Sequence, residues 1–499
     1  MDNIFFLLQK DKNIKRHIQI LKCLGNREVV SSKQISKDLQ IHRGTLTTII
    51  NELQEKLPDD IQIVNDFRKG YKLDFPSNRS IDYYIAIIAR STLLYKIIDK
   101  LFHNEQLTVT ALSKQLYTSE SVIYRLLTHL STQLKPYNIS ISKYKVRFVG
   151  NESDIRCFLF TFYRSFMDYF STREIDEIYN SSYNQTMSIL NENGFASLHV
   201  NDAKIYLWTV ISRVRILNKC TFIPNKDLKR NIIAKTSYQQ FKEIYYNTVE
   251  KLKVEFDLEN TVVSESEAVW AYLVNLDCIE YASELDGLNI KVYREDDDQE
   301  YFNSYIEMIK DSMENRFKLS NITIKDCIPL AAYLSNTKML SYASLNFQKI
   351  SSPLKHHIIT NYKDTHRMWS EIINSNIEKL SFIVSVEDIA VTLTMLTIPI
   401  LNTHKKETIN VLFSYEAEVG YSSVLVDASK LHILSGVSAE FSFSKPITAK
   451  YIEDNNIDIL VTNFEQKEEE HFDCNIIRLS YIPTPEEWVH LRNEIVNTF

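Results

Sequence analysis

The stretch "SSKQISKDLQIHRGTLTTIINEL", residues 31–53, decides the fold of the first part of this 499-residue chain. Ile35 and Leu39 stand four residues apart behind Ser32, which suits a helix N-cap, and "IHRG" then interrupts the pattern as a short turn. The helical apolar spacing resumes after the turn and stops at Pro58, through Leu46, Ile49, Ile50, Leu53 and Leu57. The stretch therefore predicts two helices joined by a tight turn.

The segments on either side extend this helical pair into a larger motif. "NIKRHIQILKCLGN" (13–26) has an apolar helical face and ends at Gly-Asn, a helix stop signal. "IQIVNDFRKGYKLDF" (61–75) alternates apolar and polar residues around Gly70, which predicts a β-hairpin. Three helices followed by a basic hairpin predict a winged helix-turn-helix, which we place at residues 1–78.

The same order of segments recurs about 77 residues later. "STLLYKIIDKLF" (91–102) predicts a first helix, "VTALSKQLYTSESVIYRLLTHLSTQL" (109–134) repeats the helical pair, and "ISISKYKVRFVG" (139–150) repeats the hairpin. Ser36, Lys37, Leu39, Leu53 and Leu57 fall on Ser113, Lys114, Leu116, Leu130 and Leu134. One helix-turn-helix pattern is a weak signal, but two in register predict a second winged helix-turn-helix at residues 79–152.

The charge of the chain is distributed unevenly. Residues 1–150 hold 23 Lys and Arg against 14 Asp and Glu, a net charge of +9, whereas the remainder holds 34 against 50, a net charge of −16. A basic front on an acidic body is the asymmetry expected when only the front touches a polyanion. The whole-chain charge of −7 therefore does not exclude DNA as a partner.

A helix docked in the major groove needs small polar and basic side chains on its exposed first turns, and an apolar face against its own domain. The candidate groove-facing residues are Arg43, Thr45, Thr47 and Thr48 in the first unit and Ser119, Ser121, Tyr124, Arg125 and His129 in the second. The candidate phosphate contacts are Lys33, Lys37, Arg68, Lys69, Lys72, Lys114, Lys143, Lys145 and Arg147. The alternative is that the winged helices serve only as packing or dimerisation modules.

The rest of the chain shows two further patterns. Residues 155–400 are dense in helical periodicity, and "SESEAVWAYLVNL" (264–276) aligns with "VSVEDIAVTLTML" (384–396) at an offset of 120. Two helical units of about 120 residues fit this segment. From residue 408 strand and helix patterns alternate, which predicts a small, mainly parallel sheet with helices on its faces.

This order of parts resembles the Mga/AtxA family of Gram-positive virulence regulators. In that family the helical units are phosphotransferase-system regulation domains (PRDs), here 153–290 and 291–403, and the last unit, here 404–499, is similar to a sugar-phosphotransferase enzyme IIB. The resemblance implies a mainly α, multidomain, cytoplasmic DNA-binding transcriptional regulator. It further implies an activator of virulence or carbohydrate-responsive genes, a homodimer formed through the PRD-like and enzyme-IIB-like domains, and control by the phosphocarrier HPr or enzyme I.

The chain departs from the family where phosphate chemistry is expected. Tyr206, Val274 and Thr394 stand at or near positions where PRDs carry a histidine. The remaining candidates for regulatory phosphorylation are His199, His356, His357 and His366. Ser414 and Tyr415 follow the first C-terminal strand, where enzymes IIB carry a cysteine, so we expect protein contact rather than phosphotransfer there.

Other classes of function find little support in the sequence. There is no glycine-rich nucleotide motif, no H-E-x-x-H and no metal-spaced Cys/His set, so we expect no enzyme activity, no cofactor and no metal. The six cysteines are far apart, as in cytosolic proteins, and no apolar run approaches the length of a membrane helix. The rival functions are a PRD-type RNA-binding antiterminator and a phosphotransferase-system component.

Overall fold

A computed structural model describes residues 4–25, 29–66, 69–166, 201–233, 235–255, 264–281, 299–404, 409–418, 420–432, 437–443, 447–463 and 472–498. These residues are mainly helical. The chain divides into two compact units, Met1–Pro399 and Ile400–Phe499. Each unit is described by itself.

The N-terminal part of the larger unit consists of helices followed by a two-stranded sheet. The elements are α1 (Ile4–Leu8), α2 (Lys12–Leu24), α3 (Ser32–Asp38), α4 (Arg43–Gln54), β1 (Gln62–Asp66) and β2 (Gly70–Asp74). The strands pair antiparallel, with Ile63 opposite Leu73, and Val30 adds an isolated bridge to Tyr71. The predicted hairpin is thus confirmed.

Two local predictions in this region were wrong by a residue or two. The N-cap of α3 is Ser31, not Ser32, because the Ser31 hydroxyl accepts a hydrogen bond from the Gln34 amide at 3.2 Å. Arg43 and Gly44 belong to α4, so the turn is shorter than "IHRG" suggested. It needs so few residues because Gln40 adopts a left-handed conformation, with φ of 52°, that ends α3 abruptly.

A second helical series and hairpin follow. The elements are α5 (Ile81–Ser91), α6 (Leu93–Phe102), α7 (Val109–Gln115), α8 (Glu120–Gln133), a 3₁₀ turn (Lys135–Tyr137), β3 (Ser140–Ser142) and β4 (Arg147–Val149). The predicted first helix begins at Leu93 rather than Ser91, because the Thr92 hydroxyl caps it by accepting from the Tyr95 amide. Sequence analysis did not identify α5, which precedes it.

The remainder of the larger unit is a body of packed helices. The elements are α9 (Glu152–Arg164), α10 (Asp202–Leu217), α11 (Lys226–Ile233), α12 (Thr236–Glu255), α13 (Glu265–Asp277), α14 (Gln299–Asn315), α15 (Ile324–Ser341), a 3₁₀ turn (Leu345–Gln348), α16 (Ser352–Asn361), α17 (Lys363–Ser375) and α18 (Val386–His404). Aromatic side chains fill its core: Trp208 stacks on Phe160 at 4.2 Å between ring centroids and meets Trp270 edge-on at 5.6 Å.

Helix α18 is long and apolar enough to cross a membrane by length and composition, contrary to the expectation that the chain has no such segment. Its buried residues nevertheless pack within the protein, where the Trp369 indole donates a hydrogen bond to the Thr397 hydroxyl at 2.8 Å. A core helix of a soluble protein passes the same test. We therefore interpret α18 as a core helix.

The smaller unit is an α/β layer structure. Its elements are β5 (Ile409–Tyr415), α19 (Tyr421–His432), β6 (Val437–Phe443), α20 (Ala449–Asp454), β7 (Ile459–Thr462), β8 (Asn475–Arg478) and α21 (Pro485–Thr498). The strands run parallel in the order β6-β5-β7-β8, which confirms the predicted parallel sheet. Thr484 and Glu487 cap α21 reciprocally, each side chain accepting from the other's backbone amide.

One prediction about this unit was wrong. Ser414 and Tyr415 do not follow the first strand but form its end, and both are fully buried. The Tyr415 hydroxyl lies 3.0 Å from the Ser429 hydroxyl on α19, so the ring is held in the core. The loop after the strand therefore begins at Glu416.

Candidate nucleic-acid interface

The turn between α3 and α4 and the turn between α7 and α8 have the same backbone conformation at the 77-residue offset. Gln40 and Tyr117 both adopt left-handed backbones, with φ of 52° and 50°. The residue after each donates its amide to a serine carbonyl at 3.0 Å, Ile41 to Ser36 and Thr118 to Ser113. The helices that follow begin at equivalent positions, after His42 and Ser119. The repeat in the sequence is thus a repeat in backbone structure.

Each helix-turn-helix pair presents one face of its second helix to solvent. In α4 the buried residues are Leu46, Ile49, Ile50 and Leu53, and in α8 they are Ile123, Leu127 and Leu130. These apolar residues hold α4 against α2 and α3, and α8 against α7. The opposite faces are left for polar contacts, as a major-groove helix requires.

The outer face of α4 carries all four residues that the sequence predicted there. Arg43, Thr45, Thr47 and Thr48 are exposed. The Thr47 and Thr48 hydroxyls donate to the carbonyls of Arg43 and Gly44, each at 3.4 Å. Their oxygens can still accept hydrogen bonds, while the methyl groups offer apolar contacts of the kind that thymine methyls make.

The outer face of α8 carries an arginine, as α4 does, and adds an aromatic residue. Ser119 caps the helix through the Val122 amide, and its hydroxyl lies 3.0 Å from that of Ser121. Arg125 donates from Nε to the Ser121 carbonyl at 3.3 Å, which leaves four N–H donors of its guanidinium outside this bond. Tyr124 beside it is 53% exposed. This group can offer donors, hydroxyls and an aromatic ring to a base edge.

The second hairpin is attached to α8 through Lys143. Its Nζ donates to the Thr128 hydroxyl at 2.8 Å and lies 4.1 Å from the centroid of the Tyr124 ring. The wing and the outer face of α8 therefore form one surface. Tyr144, at the wing tip between Lys143 and Lys145, is 87% exposed.

Sequence analysis missed Tyr144 as a candidate contact. A signal was present, because both predicted wings carry an aromatic residue followed by a basic one at equivalent positions of the repeat, Phe67-Arg68 and Tyr144-Lys145. Charge alone identifies the basic member of each pair but not the aromatic one.

The other predicted contacts differ in their surroundings. The exposed ones are Lys33, Lys37, Lys69, Lys114, Lys145 and Arg147. Lys72 is half-buried, and Arg68 lies outside the described residues. His129 is half-buried, and its Nε2–H donates to the Leu8 carbonyl at 3.1 Å, so its ring is engaged with α1. His129 is consequently the candidate with the least access to DNA.

Behind the second wing, buried charges join α9 to the helical body. Arg156 is fully buried and pairs with Glu267 on α13 through two bonds, of 2.7 and 2.9 Å. Burial alone would lower the pKa of Arg156, but Glu267 and Glu152 outweigh it and raise that pKa. Arginine thus stays charged in the core, paired at both ends.

The same network reaches the second helix-turn-helix unit. Glu152, at the start of α9, accepts two bonds of 2.8 Å from Arg215 on α10. Arg215 also donates to the carbonyls of Leu101 and Phe102 at the end of α6, at 3.2 and 3.1 Å. Glu267 lies in the repeated segment 264–276 of the sequence, and the structure makes it part of the junction between the two regions.

The histidines proposed for phosphorylation differ in their surroundings. His356 and His357 are exposed on α16, and the Asn361 side-chain amide donates to Nδ1 of His357 at 3.1 Å. His366 is half-buried, and its Nε2–H donates to the Glu387 carbonyl at 3.2 Å. His199 lies outside the described residues. Exposed imidazoles can be reached by a phosphodonor, and His356 and His357 meet that condition.

In the smaller unit, the loop after β5 is occupied by the protein's own side chains. The Glu416 amide donates to the Asn463 side chain at 2.8 Å and the Glu418 amide to the Tyr481 hydroxyl at 3.1 Å. Two carboxylates and these satisfied amides are unfavourable for a phosphate. In the described ranges, no three His, Cys, Asp or Glu side chains are grouped to hold a metal ion.

The comparisons with known proteins agree with this geometry. The family model of the Mga helix-turn-helix domain matches residues 77–163, which include α7, α8 and the second wing. The chain is 25% identical over 408 residues to the capsule synthesis positive regulator AcpB of Bacillus anthracis, covering 76% of this chain and 78% of that protein.

Two further relatives from Bacillus anthracis match over shorter stretches. The capsule synthesis positive regulator AcpA is 30% identical over 146 residues, or 29% of this chain and 30% of that protein. The anthrax toxin expression trans-acting positive regulator is 22% identical over 153 residues, or 30% of this chain and 32% of that protein. All three are named as positive regulators.

Two in-register turns with exposed polar faces, one of them within a recognised DNA-binding domain, define a helix-turn-helix protein of the transcription-regulator class. The matched domain and the three relatives support membership of the Mga/AtxA family.

Proposed function

We propose that the chain is a cytoplasmic transcriptional activator that binds double-stranded DNA through both winged helix-turn-helix units. One observation carries this proposal: the two turns repeat at an offset of 77 residues and lie within residues 1–150, whose net charge is +9 against −16 for the remainder of the sequence. The relatives named as positive regulators of capsule synthesis support activation of virulence genes.

DNA recognition is divided between the helices and the lysines around them. The outer faces of α4 and α8 read base edges, led by Arg43 and Arg125, and Tyr144 extends the surface from the second wing. The exposed lysines neutralise phosphates and fix the register of the protein on the duplex. The domain boundaries proposed for this arrangement are 1–78 and 79–152.

Regulation resides in the acidic remainder of the chain. The helical regions 153–290 and 291–403 act as PRD-like units, and 404–499 acts as an enzyme-IIB-like unit that contacts a second copy of the chain. Support comes from the parallel sheet of the smaller unit and from the exposed His356 and His357, which HPr or enzyme I could phosphorylate. A phosphate would add about −1.5 to −2 charges to α16. No enzyme activity is proposed, because the loop after β5 offers no thiol.

Parallel binding assays on duplex DNA and on hairpin RNA test this function. The protein is titrated into each at salt concentrations from about 50 to 200 mM, a range over which proteins with 6–10 phosphate contacts lose about 10³–10⁵ in affinity. We expect tight, steeply salt-dependent binding to duplex DNA. Preference for hairpin RNA would support the antiterminator instead, and salt-independent binding would contradict the phosphate contacts.

A further inference from the structure

An open cavity of about 680 Å³ is lined by α9, α10, α13, α15, α16, α18 and the 3₁₀ turn Leu345–Gln348, together with Lys22 of α2 and Asp82 of α5. Small-molecule sites in proteins are typically about 300–1,000 Å³ and mostly apolar, with a few polar groups that fix orientation. The proposed DNA surface does not use this cavity.

The lining combines apolar walls with charged residues whose formal charges sum to +1, since four cations (Lys22, Arg164, Lys204 and Lys349) face three carboxylates (Asp82, Asp277 and Glu280). Trp208, Phe347 and Leu340 supply apolar surface. Lys204 is neutralised by Asp277 at 3.1 Å. Arg164 is exposed at this lining, and its guanidinium carbon lies 5.7 Å from the Phe160 ring, with no ion pair to any carboxylate of the described residues. These surroundings suit a molecule with an apolar body and one acidic group.

The cavity shares a wall with the attachment of the second helix-turn-helix unit. Asn346 and Lys349 line the cavity, and both also hold the 3₁₀ turn that follows α8. The Asn346 side-chain amide donates to the Tyr137 carbonyl at 3.1 Å. Lys349 donates to the Pro136 carbonyl and lies 3.7 Å from the centroid of the Tyr137 ring. A molecule in the cavity would therefore touch residues that position the end of α8.

We infer that the cavity binds a small organic anion with an apolar body, and that its occupation alters how Asn346 and Lys349 hold the second helix-turn-helix unit. Such a site couples a soluble metabolite to DNA affinity, because a ligand shifts an equilibrium by its differential affinity for the two states. The coupling part of this inference rests on the proposed DNA-binding function. The binding part does not.

The test uses the fluorescent probe 8-anilinonaphthalene-1-sulfonate, which has an aromatic body and one anionic group, with the full-length protein. We expect one probe per chain. Arg164→Gln should weaken binding about tenfold, as expected for the loss of one charge-assisted hydrogen bond. Arg316→Gln is the matched control, because Arg316 is also exposed but lies outside the lining.

A substitution that fills the cavity provides a second test of the binding site. Met395 lines the cavity and its neighbour Leu396 does not, although both are half-buried on α18. Met395→Trp should abolish probe binding and Leu396→Trp should retain it, with circular dichroism to establish that both variants fold. Equal probe binding by Met395→Trp and Leu396→Trp, or by Arg164→Gln and wild type, would overturn the site, as would the absence of binding to wild type.

The coupling is tested by measuring duplex DNA affinity with and without saturating probe. A change in DNA affinity of at least about threefold, equivalent to about 0.65 kcal/mol, supports the coupling if it disappears in Met395→Trp. A bound probe with unchanged DNA affinity overturns the coupling and leaves the site standing. A chain that binds no DNA under any condition contradicts the proposed function, and probe binding then still decides whether the site exists.

Discussion

At the scale of single residues, two glutamates on α13 lie in opposite environments. Glu267 is buried and accepts two bonds from Arg156 and one from the Phe222 amide at 2.7 Å. Glu265, two residues earlier, is exposed and pairs with Lys242. Sequence analysis gave no means to distinguish them, because the partners of Glu267 come from segments 45 and 111 residues away. A pattern along one helix shows which residues share a face, but it does not show which charged groups from other segments contact that face.

Glu267→Gln is expected to destabilise the larger unit by about 3–5 kcal/mol, because it leaves Arg156 buried with half of its compensation removed. Glu265→Gln, the matched control, should cost about 0–1 kcal/mol as a surface pair. Urea unfolding followed by tryptophan fluorescence measures both, since the Arg156 guanidinium lies 5.2 Å from the Trp270 ring. Similar unfolding midpoints for the two variants would contradict the structural importance of the network.

At the scale of elements, the first wing depends on one glycine. Gly70 has φ of 135°, and a Cβ placed there would lie 2.1 Å from the Val30 carbonyl oxygen. Gly70→Ala should therefore cost about 1–3 kcal/mol in backbone strain alone and loosen the wing. Gly44, inside α4, has no atom within 4 Å of such a Cβ, so Gly44→Ala should stabilise the helix by about 0.5–1 kcal/mol.

Hydrogen exchange followed by mass spectrometry measures how far each substitution loosens the first wing. Peptides from residues 61–75 should exchange faster in Gly70→Ala, beginning with Tyr71, whose amide donates to Val30 at 2.9 Å. The same peptides should be unchanged in Gly44→Ala. Unchanged exchange of the wing in both variants would show that Gly70 is not needed for its conformation.

The sequence predicted elements best where local pattern and local structure coincide. The α3–α4 and α7–α8 pairs and both hairpins follow from apolar spacing and turn residues, so their order and repeat could be predicted. Helix α5 was missed, because its apolar residues run directly into those of α6 and only the Thr92 cap separates the two helices. Ser414 and Tyr415 were placed after their strand by resemblance to enzymes IIB, although the strand remains buried to its end. Such boundaries depend on packing across the fold, which one sequence does not show.

The candidate site was predictable to a similar extent. The outer faces of α4 and α8 followed from helical geometry, since residues opposite a buried face must be exposed. The engagement of His129 with Leu8 could not be predicted, because it joins residues 121 positions apart. The contact between Lys143 and Tyr124 depends likewise on how the wing folds back onto α8.

At the scale of the whole molecule, we propose that the smaller unit mediates self-association. Val424 and Leu431, seven residues apart on one face of α19, are 57% and 82% exposed, and Val489 on the contacting helix α21 is 56% exposed. An exposed apolar group of this kind suits a partner surface. Analytical ultracentrifugation of full-length Leu431→Asp should show a shift from dimer towards monomer of at least about tenfold in dissociation constant, the effect of about 1.4 kcal/mol.

The control for that prediction is Ile223→Asp, which replaces an equally prominent apolar residue, 81% exposed, in the larger unit. It should leave the dimer unchanged. If Leu431→Asp and Ile223→Asp have the same mass distribution as wild type, the α19 face is not the dimer surface. If wild type is a monomer throughout, homodimerisation itself is refuted.

The central claim is that the exposed faces of α4 and α8 contact DNA. The most direct measurement is footprinting of full-length protein on duplex fragments that it selects from its source genome, comparing wild type, Arg43→Ala, Arg125→Ala and the control Arg316→Ala. We predict that Arg316→Ala protects the same bases as wild type, while each of the other two loses protection over a separate part of the footprint, with a loss of about 1–3 kcal/mol per guanine contact. Full protection by both Arg43→Ala and Arg125→Ala would contradict the claim.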